Sequence, residues 1–370
     1  MPGGVLLRRE EDKMKERGRT QAANYAGIDD FRILAAVMVT AIHTAPFSGV
    51  SESLDTLLTY CVGRVAVPFF LMTTGFFVLG SWKKSGYADN GKVIRFIKKT
   101  LFLYAVSMVL YLPVNFYSGE LPRSAGEFIR MIIFDGTFYH LWYFPAVILG
   151  CLVIMALLRY FSDRAVLVIT VLLYLIGTGG DSYFGLVSRI PVLKAVYEAI
   201  FTVSSYTRNG IFYAPVFLFM GMMIREKMEN SKEHTAGGRR WKSGDIAGLA
   251  VSLALMLGES YLTFRMDLQR HNSMYLFLIP AMYFLFRLLL IVPGKAPAWT
   301  RNISMIVYVI HPAVLIVLRG FAGAAGMTPL LVENALVQFI SVALLSFVLA
   351  ALLDRMYTRL CRRKEAHENG

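Results

Sequence analysis

Ten apolar stretches recur along this chain, near residues 28–47, 58–79, 100–116, 139–158, 165–178, 209–224, 246–263, 273–292, 303–320 and 335–353. About 20 apolar residues in a helix cross a hydrocarbon core of ~30 Å, and only helices or closed barrels satisfy their backbone polar groups there. The stretches lack the alternation of barrel strands. The expected fold is therefore all-α, a polytopic membrane protein of about ten transmembrane helices. The fifth and sixth stretches are short, so tilt or flanking residues must extend them. A chain that is 56% hydrophobic and only 17% charged lies outside the range of soluble domains.

Charge orients the helices. A formal charge of +13 is compatible with a nucleic-acid partner, but its placement points to lipid instead. Connections 1–26, 81–99, 159–164, 225–243, 293–301 and 354–370 hold 27 of the Lys and Arg residues, and the intervening connections hold 6. Membrane proteins concentrate such residues on their cytoplasmic side, so both termini are expected there. The division is a cytoplasmic tail over 1–26, a transmembrane domain over 27–356 and a tail or linker over 357–370. Residues 1–26 contain no apolar core of a signal peptide. The segment 117–138 is expected to form a short amphipathic external helix. Cys61, Cys151 and Cys361 are odd in number and scattered, so neither a disulfide framework nor a metal site is expected. Nucleotide-binding glycine loops, nucleophile elbows and HExxH motifs are absent from the sequence.

The first stretch, IDDFRILAAVMVTAIHTAPF, carries Arg32 near one end and His43 near the other. Ionisable residues inside a membrane segment are costly and usually face a protein interior or a watery cavity. A separation of eleven residues returns the pair to within ~20° of one helix face, ~16 Å apart along the axis. Both are expected to look into one enclosed chamber. Asp29 and Asp30 read most simply as negative charge at a helix N-terminus. Arg64 follows in GRVAVPFFLMTTGFF, where Pro68 is expected to break the helix and free carbonyls. HLWYFPAV, with Tyr143, reads as an aromatic anchor or an acceptor-site wall. Arg208 and Asn209 open a Pro-interrupted stretch, and an interface cap explains them equally well. Glu259 is an acid at membrane depth in need of a partner or a proton. Tyr308 and His311 lie one turn apart in SMIVYVIHPAVL. The basic run containing Arg95, Lys98 and Lys99 suits orientation and anionic lipid, or the phosphates of a cytosolic nucleotide-like donor.

Arg-x10-His, GRVAVPFFLMTTGFF, HLWYFPAV and SMIVYVIHP, in this order, resemble the acyltransferase 3 superfamily of ten-helix membrane acyltransferases. The likeness runs from about Gly27 to Met356. GIDDFRILAAVMVTAIHT, TRNGIFYAPVFLFMG and NSMYLFLIP resemble more closely the N-terminal membrane domain of vancomycin-resistance membrane-bound serine racemases. The superfamily resemblance implies acyl-CoA from the cytosol, acetyl-CoA first among donors, and an acceptor on the outer side. His43 then matches the catalytic histidine and Arg32 its partner arginine. Arg64, Arg95, Lys98, Lys99, Tyr143, Arg208, Asn209, Glu259, Tyr308 and His311 are candidates for binding substrate or acyl-CoA. The racemase resemblance implies handling of L-serine, a bacterial cell membrane, and a C-terminal pyridoxal-phosphate racemase domain in the full-length protein. It places no pyridoxal phosphate in these residues, and a homodimer is compatible with it.

Two chemistries compete on these residues. In the first, His43 takes a proton from an acceptor hydroxyl, or takes the acyl group itself, while cations steady the thioester oxygen and phosphates. An unperturbed imidazole, with pKa ~6.5, is largely neutral near pH 7 and suits that role. In the second, Arg32, Arg64 or Arg208 holds the carboxylate of a transported amino acid, and Glu259 or a freed carbonyl holds its ammonium group. A membrane anchor without activity is the third alternative.

Overall fold

A computed structural model describes residues 25–230, 243–294, 297 and 299–368. The N-terminal tail as far as residue 24 and most of the 225–243 connection lie outside the described residues. Among the described residues every regular element is helical. The helices are α1 (Ala26–Thr44), α2 (Glu52–Leu58), α3 (Ala66–Thr74), α4 (Gly80–Lys84), α5 (Gly91–Ser118), α6 (Ala125–Arg130), α7 (Tyr143–Tyr160) and α8 (Asp163–Gly179). They continue as α9 (Phe184–Val187), α10 (Pro191–Val203), α11 (Ala214–Asn230), α12 (Ser243–Arg265), α13 (Leu278–Ile291), α14 (Trp299–Ala324) and α15 (Ala335–Glu368).

Each of the ten apolar stretches falls on a helix. Five segments among the described residues are long and apolar enough to cross a membrane: Glu52–Lys84, Tyr143–Tyr160, Ser243–Arg265, Trp299–Ala324 and Ala335–Leu360. Others fall short for separate reasons. Helix α1 has 19 residues and carries Asp29, Asp30 and Arg32 in its first turns, so no 18-residue window of it escapes those three charges. Helices α8, α11 and α13 have only 17, 17 and 14 residues.

Helix α1 packs against α3, α13, α14 and α15, and it buries Ile28, Ala35, Ala36 and Val39 against them. It stops at Ala45, which takes a left-handed conformation with φ 49°. Pro46 follows, and the residue before a proline is disfavoured in the α-helical region, so the stop is local in origin. Helix α3 behaves differently from expectation. Pro68 is the third residue of α3 rather than a break within it. The first four N–H groups of a helix have no intrahelical partner, so a proline is harmless there. The irregular backbone lies just before it, in a 3-10 turn over Val62–Val65 that carries Arg64.

A π turn over Gly75–Leu79 then joins α3 to α4. It lies where α3 presses hardest on α11. A Cβ on Gly75 would collide with the Leu218 carbonyl, and one on Gly221 with the Met72 carbonyl. Small residues let helix backbones approach this closely in membranes, where packing replaces the hydrophobic drive. The pair matters for the site because Arg64 precedes α3 and Arg208 precedes α11. Segment 117–138 contains the expected short helix, α6. Helix α10, with Pro191 at its first position, was not expected, because 179–207 read as a connection.

Candidate functional site

Two cavities are built on α1, one toward each end. The first, about 270 Å³, is lined by His43, Val39 and Ile42 of α1, with Arg64, Tyr139, His140, Arg208, His271, Asn272 and Tyr308. The second, about 320 Å³, is lined by Arg32, Lys99, Arg301, Thr73, Thr74, Asn302, Ser304, Tyr143 and Tyr308 among others. Arg32 and His43 therefore do not share one chamber, as the helical spacing led us to expect. Spacing fixes a helix face, but the partition comes from other helices that meet α1 between the two residues. Tyr308 lines both cavities.

Around His43 the rings are crowded. The His311 ring stacks on it with centroids 5.3 Å apart, and the Tyr139 ring lies at 4.8 Å. His140 lies 5.5 Å from His311, completing a cluster of three histidines. No hydrogen bond within the described residues involves the His43 ring, and both His140 ring nitrogens and His311 Nε2 are buried without a partner. Pro312 explains how His311 is aimed. Lacking an N–H, it frees the Tyr308 carbonyl four residues earlier. His311 Nδ1 lies 3.0 Å from both the Tyr308 and Val307 carbonyl oxygens, so Nδ1–H donates there and Nε2 is left as the acceptor. The Tyr111 hydroxyl accepts from Ala313 N at 3.2 Å and donates to the Val309 carbonyl at 2.6 Å, bridging the rest of the gap. Among the described residues no three His, Cys, Asp or Glu side chains converge as metal ligands would.

Opposite the histidines lie two guanidiniums. Arg64 Nε donates to the Asn272 carbonyl at 2.7 Å and its Nη2 to Asn272 Oδ1. Arg208 Nη1 donates to Ser273 Oγ at 3.1 Å, and its Nε is buried without a partner. Arg208 also stacks on Tyr206 and Trp142, at 4.4 and 5.4 Å. The loop that receives both arginines is pinned by Asp181, whose Oδ1 accepts from Ser273 N at 2.7 Å and Met274 N at 2.9 Å. Burial raises the Asp181 carboxyl pKa, against the pull of those backbone donors and of Arg208 and Arg64. His271 is pushed the other way, to about 3, first by burial and then by Arg208, Arg270 and Arg64. It is neutral at physiological pH. Among the described residues no carboxylate lines this cavity, so its polar wall is imidazole, phenol, amide and guanidinium.

The Arg32 cavity is organised by Asp29. Its carboxylate accepts from Arg32 Nε at 3.2 Å and from Arg301 Nε and Nη2 at 2.9 and 2.7 Å. Asp29 does lie in the first turn of α1, but its charge also fixes two arginines at the cavity wall. Lys99 lines this cavity, whereas Arg95 and Lys98 are exposed and do not. Arg95 Nε donates to the Gly91 carbonyl of its own helix at 3.2 Å. Tyr143 lines the Arg32 cavity, away from the acceptor wall considered for it.

Two candidates have structural work instead. Glu259 accepts from Leu276 N, Phe277 N and the Tyr183 hydroxyl at 2.6, 3.1 and 2.7 Å. It thereby holds the backbone that leads into α13 and lines none of the cavities described here. Asn209 Oδ1 accepts from Ile211 N and Phe212 N at 2.9 and 3.1 Å, holding the turn that leads into α11. Residues missed at the sequence level are Arg301, His140, Asp181 and Asn272. His140 was visible only as part of an aromatic boundary, and the other three acquire meaning only through partners more than 60 positions away.

A third cavity, about 320 Å³, is lined by Glu52, Asp55 and Asp267 and shares Tyr60 and Asn272 with the His43 cavity. The three cavities form a row, joined by shared residues, from an acidic end through a cationic chamber to the Arg32 end.

A family model described as an acyltransferase domain matches residues 25–355. Two proteins of Enterococcus faecalis, each named amino-acid racemase, are 37% identical over 353 and 343 residues, covering 94% and 90% of this chain. A serine/alanine racemase of Enterococcus gallinarum is 34% identical over 345 residues, covering 92% of this chain. The matched regions are only 47%, 46% and 47% of those proteins, so the chain spans about half the length of the curated relatives it matches. No solved structure matches it.

Proposed function

This chain belongs to the acyltransferase domain family, and on that premise we propose that it transfers an acyl group from acyl-CoA to an acceptor within a membrane-embedded helical bundle. In this reading the ten helical stretches cross a cell membrane with both termini in the cytoplasm. The donor, acetyl-CoA first among candidates, enters from the cytoplasmic side with its reacting end in the Arg32 cavity. Arg32, Arg301 and Lys99 supply positive charge for its phosphates and carbonyls. The acceptor occupies the His43 cavity.

His43 takes the proton of the acceptor hydroxyl as that oxygen bonds to the acyl carbon. The carbon–sulfur bond then breaks, and the thiolate leaves with the proton that His43 carried. Arg64 or Arg208 steadies the oxyanion formed in between. The observation that supports this best is the meeting of two polar cavities at Tyr308, one where Arg32, Arg301 and Lys99 outnumber the single Asp29 carboxylate, the other with a histidine that has no hydrogen-bond partner among the described residues.

One observation favours a second reading. Arg64 and Arg208 face a cavity that no carboxylate of the described residues lines, an environment fit for the carboxylate of an amino acid such as L-serine. The relatives are named as racemases, and this reading makes the domain an entry route for their substrate, with pyridoxal phosphate chemistry placed outside these residues. Purified protein in liposomes separates the two. Consumption of labelled acetyl-CoA without accumulation of labelled L-serine is the expected result. Serine accumulation with acetyl-CoA untouched would replace the first reading by the second, and neither activity would leave a membrane anchor.

A further inference from the structure

We propose that Tyr308 is the partition between the donor and acceptor cavities and that its ring sets the length of acyl group the protein accepts. This rests on the acyl-transfer reading but adds a specificity determinant to it. Tyr308 is the residue that lines both cavities. Tyr308 is 8% exposed, and its ring is held from several directions. The hydroxyl donates to the His140 carbonyl. The His140, Tyr143 and Phe144 rings surround it edge-on, with centroids 5.7, 5.6 and 5.7 Å away. Its own carbonyl receives His311 Nδ1, so the backbone beneath the ring is tied to the histidine cluster.

A ring fixed in this way narrows the passage between the cavities without closing it, so that the acyl carbon meets the acceptor oxygen past its edge while bulkier groups are held back. The Arg32 cavity has an apolar part formed by Phe144, whose ring packs edge-on against Tyr308, with Val147 and Met305. An acyl group that enters along those side chains brings its carbonyl carbon to the edge of the ring, beside the His43 cavity. A two-carbon group ends there. A longer tail needs the volume that the ring occupies.

The direct test compares acetyl-CoA with octanoyl-CoA in steady-state transfer. Wild type is expected to favour acetyl-CoA at least ~10-fold in kcat/KM, the lower end of the discrimination that even one methylene in an apolar pocket gives. Tyr308→Ala is expected to reduce or reverse that ratio by a similar factor, and Tyr308→Phe, which keeps the ring, to preserve it. An unchanged ratio in Tyr308→Ala, or a change as large in Tyr308→Phe, would overturn the proposal. A second readout does not depend on turnover. Val39→Cys, in the His43 cavity, is probed in sealed proteoliposomes with a charged methanethiosulfonate reagent from the Arg32 side. Labelling above the background of the native cysteines is expected only when Tyr308→Ala is also present. No such labelling, or equal labelling with Tyr308 intact, would show that the ring does not divide the cavities. Absence of acyl-CoA turnover in wild type would count against the transfer reading alone, and this labelling would still decide the partition.

Discussion

Replacing His43 by alanine is expected to lower the rate of acyl transfer by ~10²- to 10⁴-fold, the usual contribution of a positioned general base. The loss is expected in kcat, with the KM for acyl-CoA close to wild type, because His43 and the Arg32 cavity lie on opposite sides of Tyr308. Stability should change little. The His43 ring has no hydrogen-bond partner among the described residues, so its removal orphans no buried donor or acceptor, and it lines a cavity rather than filling a packed core. Radiolabelled acetyl transfer, with the melting temperature of the detergent-solubilised protein as control, measures both quantities. Turnover within a factor of about two of wild type would remove His43 from the chemistry, since a base worth less than that contributes no useful part of the barrier.

Arg32→Ala is expected to act in the complementary way. A hydrogen bond to a charged group is worth about 1.5–3 kcal/mol, and each 1.4 kcal/mol is about tenfold in affinity. The KM for acyl-CoA should therefore rise by roughly 10- to 150-fold, with kcat much less affected. The fold should survive, because Asp29 keeps its two hydrogen bonds from Arg301 at 2.9 and 2.7 Å and is not left as an unpaired buried charge. Steady-state kinetics over a range of acetyl-CoA concentrations reads the split. A pure loss of kcat with unchanged KM would place Arg32 at the reacting atoms and undo the assignment of its cavity to the donor.

The helices were legible because their cause is local. Apolar runs and the charges that end them mark the ten long stretches, and α1 shows this most plainly, with acids at its start and Ala45-Pro46 at its close. Arg32 and His43 were legible for the same reason, as costly residues at helical spacing. What could not be read is how other helices divide the space beside α1. Tyr308 acts as a divider because α14 brings it against His140, Tyr143 and Phe144, contacts that span more than 160 positions. Glu259 and Asn209 show the converse. A buried polar side chain looks the same in sequence whether it meets a ligand or a backbone N–H, and here both meet backbone. Helix α10 was missed because its amphipathic pattern is short and most of its residues stay exposed.

The central claim is that donor and acceptor occupy separate cavities that meet at Tyr308. A density map of the purified protein with a non-hydrolysable thioether analogue of acetyl-CoA examines it most directly. Density for the analogue within the Arg32 cavity, its acyl carbonyl at the Tyr308 ring and its phosphates beside Arg301 and Lys99, is the expected result. Density in the His43 cavity between Arg64 and Arg208, with the Arg32 cavity vacant, would contradict the claim.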